Sequence, residues 1–301
     1  MFDCNEHGGR QTNQQMSGIL SQKIKVALIQ LAGSKPDKVA NLQRAATLIE
    51  KAVKDQPDTK LVVLPECFNS PYATDKFRAY AEIIGPESQS VNFLSKLASK
   101  FRIILVGGSI PELDPKTDKI YNTSIIFNEE GKLIGTHRKA HLFDIDIPNG
   151  ITFQESLTLS GGEKPTTLDT TYGKIGVGIC YDMRFPELAM ISARKGAFAM
   201  IYPAAFNTVT GPMHWTLLAR ARAVDNQIYV ILASPARNIN SDYHAYGHSM
   251  VVNPRGDVLT EAGEGEEIVY ADLEPEAIDQ FRSGVPITKQ RRFDIYKDVS
   301  K

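Results

Sequence analysis

The chain has 301 residues, of which 42% are hydrophobic and 23% are charged, and its formal net charge is −1. This is an ordinary globular composition, and the near-neutral charge predicts neither a nucleic-acid partner nor an anionic membrane surface as a partner. No apolar stretch approaches the roughly 18 residues that a membrane-spanning helix needs.

The first 22 residues are predicted to be a polar, disordered tail, followed by a single domain over residues 23–301. Residues 1–18 are rich in Gly, Gln and Asn, have no signal-peptide apolar core and lack the acid-poor character of a mitochondrial presequence. The three cysteines of the chain predict no disulfide framework and no cysteine metal site, which suits a reducing compartment. We expect the protein in the cytoplasm, with the mitochondrion as the alternative.

In the first half of the chain, apolar strands alternate with amphipathic helices. Continuous β-branched runs predict strands, and apolar residues at helical spacing predict helices. Two further apolar runs flank the turn Asn128–Gly131 and predict a hairpin, followed by a long irregular stretch. The predicted strands are 24–32, 60–66 and 102–109, the helices are 38–54 and 90–100, the hairpin strands are 122–128 and 132–139, and the irregular stretch is 140–165.

The second half repeats this order loosely, which favours an α/β fold with strands covered on both faces. Hairpins in both halves favour two sheets over one doubly wound sheet, and no low-complexity linker separates the halves. After two short strands around Tyr172 and Gly173, the predicted elements are the helices 186–195 and 212–225, the strands 197–205, 227–236 and 267–273, and the hairpin 247–263.

Three of the predicted strands end in unexpected polar residues, namely Glu66, Lys139 and Cys180. In α/β sheets, functional residues collect just beyond the carboxyl ends of strands, so these three are candidate catalytic residues. A carboxylate that directly follows a buried strand is costly to desolvate unless it has a partner. The alternatives are that Glu66 caps a turn and that Lys139 is an ordinary solvated lysine.

Cys180 is either a buried, inert thiol or a nucleophile. The stretch GICYD has the outline of a nucleophile elbow, although Asp182 stands where that motif has its last glycine. The segment after it is predicted to start a helix, and a helix N-terminus lowers the pKa of a thiol. The base is left open between a histidine and a buried glutamate. His137 and His141 lack the glutamate of a HExxH motif, so a zinc site is not expected.

The chain resembles the nitrilase superfamily of carbon–nitrogen hydrolases, and within it the ω-amidase branch. The resemblance runs from about Ile24 to the C-terminus, and its motifs occur in the same order. It is carried by LVVLPECFNSPY, HRKAHLFDIDIP, FQESLTLSGGE, GVGICYDMRFPELA, YPAAFNTVTGPMHW and YGHSMVVNPRGDVL. The resemblance implies a four-layer αββα sandwich with two mixed β-sheets of six strands each, and a homodimer.

The resemblance also implies a catalytic Glu–Lys–Cys triad at Glu66, Lys139 and Cys180, with Glu155 as a second glutamate. In the family's mechanism the thiolate attacks an amide and forms a thioester, which water then hydrolyses. The oxyanion is expected to be stabilised by Lys139 and by the backbone N–H of Tyr181. No metal and no cofactor are implied.

The substrate is predicted from Arg184, which could clamp a carboxylate. Together with the resemblance, it favours dicarboxylic acid monoamides such as α-ketoglutaramate and α-ketosuccinamate. Alternatively, Arg184 pairs structurally with Asp182 or Glu187. By their places in matching motifs, Tyr72 and Phe206 are predicted to form walls of the substrate pocket, and Thr210 to bind the far end of the substrate.

Two alternative functions stay open at this point. The first is another amidase of the same superfamily: a deaminated glutathione amidase, an N-carbamoyl amine hydrolase or a nitrilase. The second is a catalytically silent scaffold with the same fold. The expected partners are a small-molecule substrate and a second copy of the chain.

Overall fold

The computed structural model describes residues 18–32, 36–146, 152–241 and 243–301. Residues 1–17 of the predicted tail therefore lie outside the described residues. Leu20, which the structure describes, is buried and forms an isolated bridge with Gly173. No helix in the described ranges is long and apolar enough to cross a membrane.

The first sheet contains seven strands and mixes parallel and antiparallel pairs. Strands β1, β2 and β3 are parallel neighbours, and antiparallel strands extend the sheet on both sides in the order β15-β1-β2-β3-β5-β4, with β6 paired to β5. These strands are Ile24–Gln30 (β1), Thr59–Val63 (β2), Ile104–Val106 (β3), Ile110–Asp114 (β4), Lys119–Phe127 (β5), Leu133–Arg138 (β6) and Glu267–Leu273 (β15).

The second sheet contains six strands and repeats the same plan. Its parallel centre is β10-β11-β12, within the order β14-β13-β12-β11-β10-β9. These strands are Thr166–Thr170 (β9), Gly173–Val177 (β10), Ala197–Pro203 (β11), Tyr229–Ala233 (β12), Met250–Val252 (β13) and Val258–Glu261 (β14). A separate antiparallel pair, Asp144–Asp146 (β7) and Thr152–Gln154 (β8), lies between the two halves of the chain.

Side-chain caps or a proline mark the start of several of the described helices. Asp37 accepts a hydrogen bond from Ala40 N–H at the start of α1, Ser88 accepts one from Val91 N–H at the start of α3, and Pro186 is the first residue of α4. The helices are Lys38–Asp55 (α1), Phe77–Tyr80 (α2), Gln89–Phe101 (α3), Pro186–Arg194 (α4), Thr210–Asn226 (α5), Pro275–Gly284 (α6) and Ile287–Gln290 (α7), with short 3₁₀ helices at Glu155–Leu157 and Cys180–Arg184.

Three apolar cores join the layers in the order helix, sheet, sheet, helix. Because strand side chains alternate between faces, Val26 packs into the core between the sheets, whereas Ala27 packs under α1 and α3. Trp215 of α5 lies in the third core, between the second sheet and its helices. The predicted α/β class, the αββα layers and the two mixed sheets are confirmed.

The structure corrects several details of this prediction. The first sheet has seven strands rather than six, because β6 adds to β5 beside the six-strand path. The segment 140–165 is not irregular throughout, since it contains β7, β8 and a 3₁₀ helix. The predicted strand 102–109 shortens to β3, because the backbone turns away at Gly108, where φ is +61°.

Candidate active site

Three side chains that follow strand ends lie at one edge of the sandwich. Glu66 comes shortly after β2, Lys139 directly follows β6, and Cys180 comes shortly after β10. Lys139 Nζ lies 2.9 Å from Glu66 Oε1, and neither side chain is exposed to solvent. Cys180 is also buried. Removing two charges from water costs free energy that their attraction often does not recover. A buried ion pair beside a thiol is therefore better explained by a chemical role than by stability.

Glu155 completes a second ion pair with the same ammonium group. It begins the 3₁₀ helix that follows β8, and its Oε1 lies 2.8 Å from Lys139 Nζ. The same Oε1 accepts a hydrogen bond of 2.7 Å from the Tyr72 hydroxyl, while Oε2 accepts one of 2.7 Å from Phe143 N–H. Glu155 is therefore fixed at both oxygens and gives Lys139 a second carboxylate partner beside Glu66.

Asn122 is a residue of this cluster that the sequence did not indicate. Its Nδ2 donates to Glu66 Oε1 at 2.8 Å, and its backbone carbonyl accepts from Lys139 N–H at 2.8 Å. Asn122 is one of three consecutive buried polar residues in β5, and its partner Glu66 lies 56 residues away in the chain, so the sequence did not distinguish it from its neighbours. Within the described residues, the second oxygen of Glu66, Oε2, has no hydrogen-bond partner.

Glycine at position 108 lets the backbone pass directly behind Glu66. A Cβ at Gly108 would lie 2.2 Å from the carbonyl oxygen of Pro65, which no side chain could tolerate. Just beyond it, Ser109 Oγ accepts a hydrogen bond from Cys67 N–H at 3.0 Å. Gly108 and Ser109 thus pack against the turn that carries Glu66.

Cys180 lies at a strained turn rather than at the start of a long helix. Its φ is +46°, a left-handed conformation that costs a non-glycine residue about 1 kcal/mol. It opens the 3₁₀ helix Cys180–Arg184, and α4 begins only at Pro186. Cys180 Sγ accepts a hydrogen bond from Ala205 N–H at 3.4 Å. The predicted elbow therefore leads into a short 3₁₀ helix.

Burial and neighbouring charges shift the pKa values of these groups. Burial raises the pKa of Glu66, and the ammonium of Lys139 opposes that shift. Burial also raises the pKa of the Cys180 thiol well above its usual value, and Glu66 adds to this. For Lys139, burial disfavours the charged form, but Glu155 and Glu66 outweigh it and raise its pKa well above its usual value. A protonated thiol thus lies beside a carboxylate that could accept its proton.

Tyr181 is the second residue of the 3₁₀ helix that Cys180 opens. The first N–H groups of a helix have no intrahelical acceptor. The backbone N–H of Tyr181 is therefore available, next to the thiol, as a hydrogen-bond donor to an oxyanion.

Arg184 ends that 3₁₀ helix, and its guanidinium is held by aromatic side chains. Its central carbon lies 4.8 Å from the ring centre of Phe206 and 5.4 Å from that of Tyr181. Its Nη1 donates to His214 Nδ1 at 3.1 Å, a contact that the sequence did not indicate. Among the ion pairs of the described residues, Arg184 pairs with no acid, so neither of its predicted structural partners takes it.

A cavity of about 220 Å³ opens beside Glu66 and Tyr72. Tyr243, on its wall, donates its hydroxyl to the carbonyl of Ala205, and the N–H of Ala205 contacts Cys180. Among the described lining residues, Glu66 alone carries a charge. The cavity therefore reaches Glu66 and offers no basic group in its described lining, and Cys180 and Arg184 are not among the described lining residues.

Two predicted pocket residues are placed differently from Tyr72. Phe206 and Thr210 are not among the described residues that line this cavity. Phe206 packs against Trp215 and against the guanidinium of Arg184. Thr210 begins α5, and its hydroxyl donates to Asn207 Oδ1 at 3.1 Å.

The fold and the sequence match known proteins over nearly the whole chain. Residues 25–283 match the family model described as carbon–nitrogen hydrolase. The chain is 77% identical over 286 residues to the ω-amidase NIT3 of Saccharomyces cerevisiae, covering 94% of this chain and 98% of that protein. It is 54% identical over 274 residues to the ω-amidase NIT2 of Danio rerio, covering 91% and 96% respectively.

Solved structures give the same relationship. The crystal structure of Saccharomyces cerevisiae Nit3, a member of branch 10 of the nitrilase superfamily, has a TM-score of 0.87 and 74% sequence identity, covering 92% of this chain and 99% of that chain. The NitFhit protein of Caenorhabditis elegans has a TM-score of 0.81 and 32% identity, covering 92% of this chain and 66% of that chain.

Proposed function

The chain belongs to the carbon–nitrogen hydrolase family, and from that premise we propose that it is an ω-amidase. It hydrolyses the terminal amide of dicarboxylic acid monoamides, such as α-ketoglutaramate and α-ketosuccinamate, to the dicarboxylate and ammonia. The observation that carries this proposal is the buried Glu66–Lys139–Glu155 cluster beside Cys180. The relatives named ω-amidase support the substrate class.

In the first half of the reaction, Cys180 attacks the amide carbon. Glu66 takes the thiol proton as the carbon–sulfur bond forms, and it has an oxygen, Oε2, without a partner among the described residues. The carbonyl oxygen becomes an oxyanion, which Lys139 Nζ and the N–H of Tyr181 stabilise. Glu66 then gives its proton to the departing nitrogen, the carbon–nitrogen bond breaks, and ammonia and a thioester result.

In the second half, water hydrolyses the thioester. Glu66 takes a proton from the water as it attacks, and returns that proton to the Cys180 sulfur as the carbon–sulfur bond breaks. The acid product leaves and the enzyme is regenerated, with one water consumed for each ammonia released. Glu155 contacts Lys139, and Asn122 contacts Glu66. In this mechanism the two residues keep the ammonium and the carboxylate in place and exchange no protons.

Arg184 supports a substrate that carries a carboxylate at the end opposite its amide. Its guanidinium is held between aromatic rings and pairs with no acid among the described residues, close to the turn that carries Cys180. The described cavity wall beside Glu66 offers no cation, and Arg184 lies outside that lining, at the end of the 3₁₀ helix that Cys180 begins. The proposal places the substrate carboxylate on Arg184 while the amide meets the thiol. A bidentate pair of this kind contributes orientation as well as affinity.

A second copy of the chain is the proposed protein partner. Val209, at the N-cap of helix α5, is 47% exposed, and three exposed apolar side chains follow it on that helix: Met213 at 61%, Leu217 at 63% and Val224 at 38%. Contiguous exposed apolar surface of this kind marks an interaction site. Packing α5 of two chains together would cover it and give a homodimer.

The amidase proposal is tested by ammonia release from α-ketoglutaramate. The wild-type protein is expected to release ammonia, Cys180→Ala to lose the activity entirely, and Cys67→Ala, which removes another buried thiol, to keep it. Acid quench and mass spectrometry should find an acyl group on Cys180. Ammonia release that persists in Cys180→Ala would contradict the mechanism, and faster turnover of a nitrile or an N-carbamoyl amine would contradict the substrate class.

A further inference from the structure

Asp182 is a buried carboxylate that the mechanism above does not use. It lies two residues after the nucleophile, and its side chain is fully removed from solvent. Buried carboxylates are retained only where hydrogen bonds or charges compensate the loss of water. Its partners therefore indicate its purpose.

The first set of partners encloses the Cys180 turn. Asp182 N–H donates to the carbonyl of Ile179 at 3.0 Å, and Asp182 Oδ2 accepts from Ile179 N–H at 2.9 Å. Two hydrogen bonds thus join Ile179, directly before Cys180, to Asp182, two residues after it. The left-handed backbone of Cys180 is unfavourable by itself and persists only where its surroundings hold it in place. This pair of bonds is a local restraint that does so.

The second set of partners encloses Lys139. Asp182 Oδ1 accepts from His141 N–H at 2.9 Å and from His141 Nδ1 at 2.8 Å. Asp182 Oδ2 lies 3.0 Å from His137 Nε2, which must donate because a carboxylate can only accept. His137 and His141 stand two residues before and after Lys139, so the loop is held on both sides of the lysine.

We propose that Asp182 is a positioning residue, which fastens the Lys139 loop to the Cys180 turn and so sets the distance between the ammonium and the reacting sulfur. Its carboxylate reaches both segments, whose backbones otherwise belong to different sheets. Asp182 touches neither substrate nor reacting atoms in this role. The inference rests on the proposed function, because the distance between Lys139 and Cys180 matters only if the two act on the same substrate.

The test measures kinetics and thiol reactivity in Asp182→Asn. Asparagine loses the charge, and its amide group cannot accept hydrogen bonds from Ile179 and His141 together. Because an ångström of misplacement costs about 100-fold, kcat should fall about 100-fold while KM changes by less than about threefold. Alkylation of Cys180 by iodoacetamide, measured by mass spectrometry, should be at least about tenfold slower in this variant than in the wild type.

Asp298→Asn is the matched control for loss of a buried carboxylate. The Asp298 side chain is 5% exposed and pairs with Arg194, the last residue of α4, rather than with any member of the strand-end cluster. It should lower the melting temperature and leave kcat and the alkylation rate unchanged. If Asp182→Asn lowers only the melting temperature, as the control does, Asp182 is merely structural and the proposal is overturned.

A second pair of variants keeps the test decisive if Asp182→Asn does not fold. The His141 side chain is one-third exposed and stacks on Phe185, so we expect its replacement to leave the fold intact. His141→Ala removes the Nδ1 donor, whereas His141→Asn places an amide N–H at the same distance from the backbone. We expect kcat to fall about tenfold in His141→Ala and to recover to within about threefold of wild type in His141→Asn. Wild-type kcat in His141→Ala, or no recovery in His141→Asn, overturns the proposal.

The alkylation rates separate this inference from the amidase assignment. If the wild-type protein released no ammonia from α-ketoglutaramate, the proposed function would fail, yet the reactivity of Cys180 would still report whether Asp182 positions it. If the wild type is an active ω-amidase and Asp182→Asn matches it in both readouts, only the inference about Asp182 fails.

Discussion

Lys139 Nζ lies 2.9 Å from Glu66 Oε1, although 73 residues separate the two in the chain and neither side chain reaches solvent. A lysine in this position can hold its charge only because carboxylates surround it. The same arrangement places the proposed proton acceptor, Glu66, and the proposed oxyanion donor, Lys139, beside one thiol. The stability of the site and its proposed chemistry therefore depend on the same atoms.

The first prediction follows from that dependence. Lys139→Met leaves Glu66 and Glu155 buried without their cation, so we expect the free energy of unfolding to fall by about 3 kcal/mol. Ammonia release should fall at least about 1,000-fold, because an oxyanion donor is lost together with the charge that orients Glu66. Urea unfolding and an ammonia assay measure the two effects.

The double variant Lys139→Met/Glu155→Gln separates stability from catalysis. Removing one carboxylate as well should restore part of the lost unfolding free energy but none of the activity. Lys132→Met, at an exposed position before β6, is the control and should match the wild type in both measurements. If the double variant is no more stable than Lys139→Met, the buried charges are not the source of the loss.

The second prediction concerns pH. Burial raises the pKa of Glu66, and Glu66 must be deprotonated to take the thiol proton. As the pH falls, kcat/KM should therefore decline at a higher pH than the value of about 4.3 typical of an ordinary glutamate. The pH profile of kcat/KM with α-ketoglutaramate measures this acidic limb.

Asn122→Ala tests whether that limb belongs to Glu66. The Asn122 amide donates to Glu66 Oε1 and so favours the charged form. Its removal should raise the pKa of Glu66 further and move the acidic limb to higher pH. Asn253→Ala, in the exposed turn between β13 and β14, should leave the profile unchanged. A limb that does not move in Asn122→Ala would assign it to another group.

The third prediction is a change of substrate preference. Arg184→Met removes the guanidinium that is proposed to bind the substrate carboxylate, which should cost about 2 kcal/mol, or about thirtyfold in kcat/KM for α-ketoglutaramate. Pentanamide keeps the five-carbon chain and lacks the carboxylate, so its kcat/KM should stay within about threefold of wild type. Equal losses for both amides would show that Arg184 does not read the carboxylate.

The fourth prediction concerns assembly. Leu217→Glu places a charge in the middle of the exposed apolar surface of α5, where burial against a second chain would leave it unpaired. Sedimentation should show the mass of two chains for the wild type and of one chain for this variant. Val39→Glu, at an equally exposed apolar residue on α1, should sediment like the wild type. Dimers of Leu217→Glu would place the interface elsewhere.

The features that could be predicted from the sequence depend on burial of apolar residues, whereas those that could not depend on hydrogen bonds between distant side chains. Runs of apolar residues predicted the parallel strands, and the polar residue that ended a run marked Glu66, Lys139 and Cys180 as neighbours of strand ends. Burial is non-directional and depends mainly on how much apolar surface is hidden. A one-dimensional pattern of apolar residues is therefore enough to predict an α/β fold with strands covered on both faces, whereas the four layers were implied by the family resemblance.

Side-chain partnerships were decided only in the tertiary structure. The bond from Asn122 to Glu66, the bond from Arg184 to His214 and the bonds of Asp182 to His137 and His141 join residues 30 to 56 positions apart. A hydrogen bond depends on a few tenths of an ångström and on its angle, and loop conformations set both. The class of the fold and three candidate reacting groups could be predicted from the sequence. The side chains that orient those groups could not, because direction in space has no counterpart in a linear pattern.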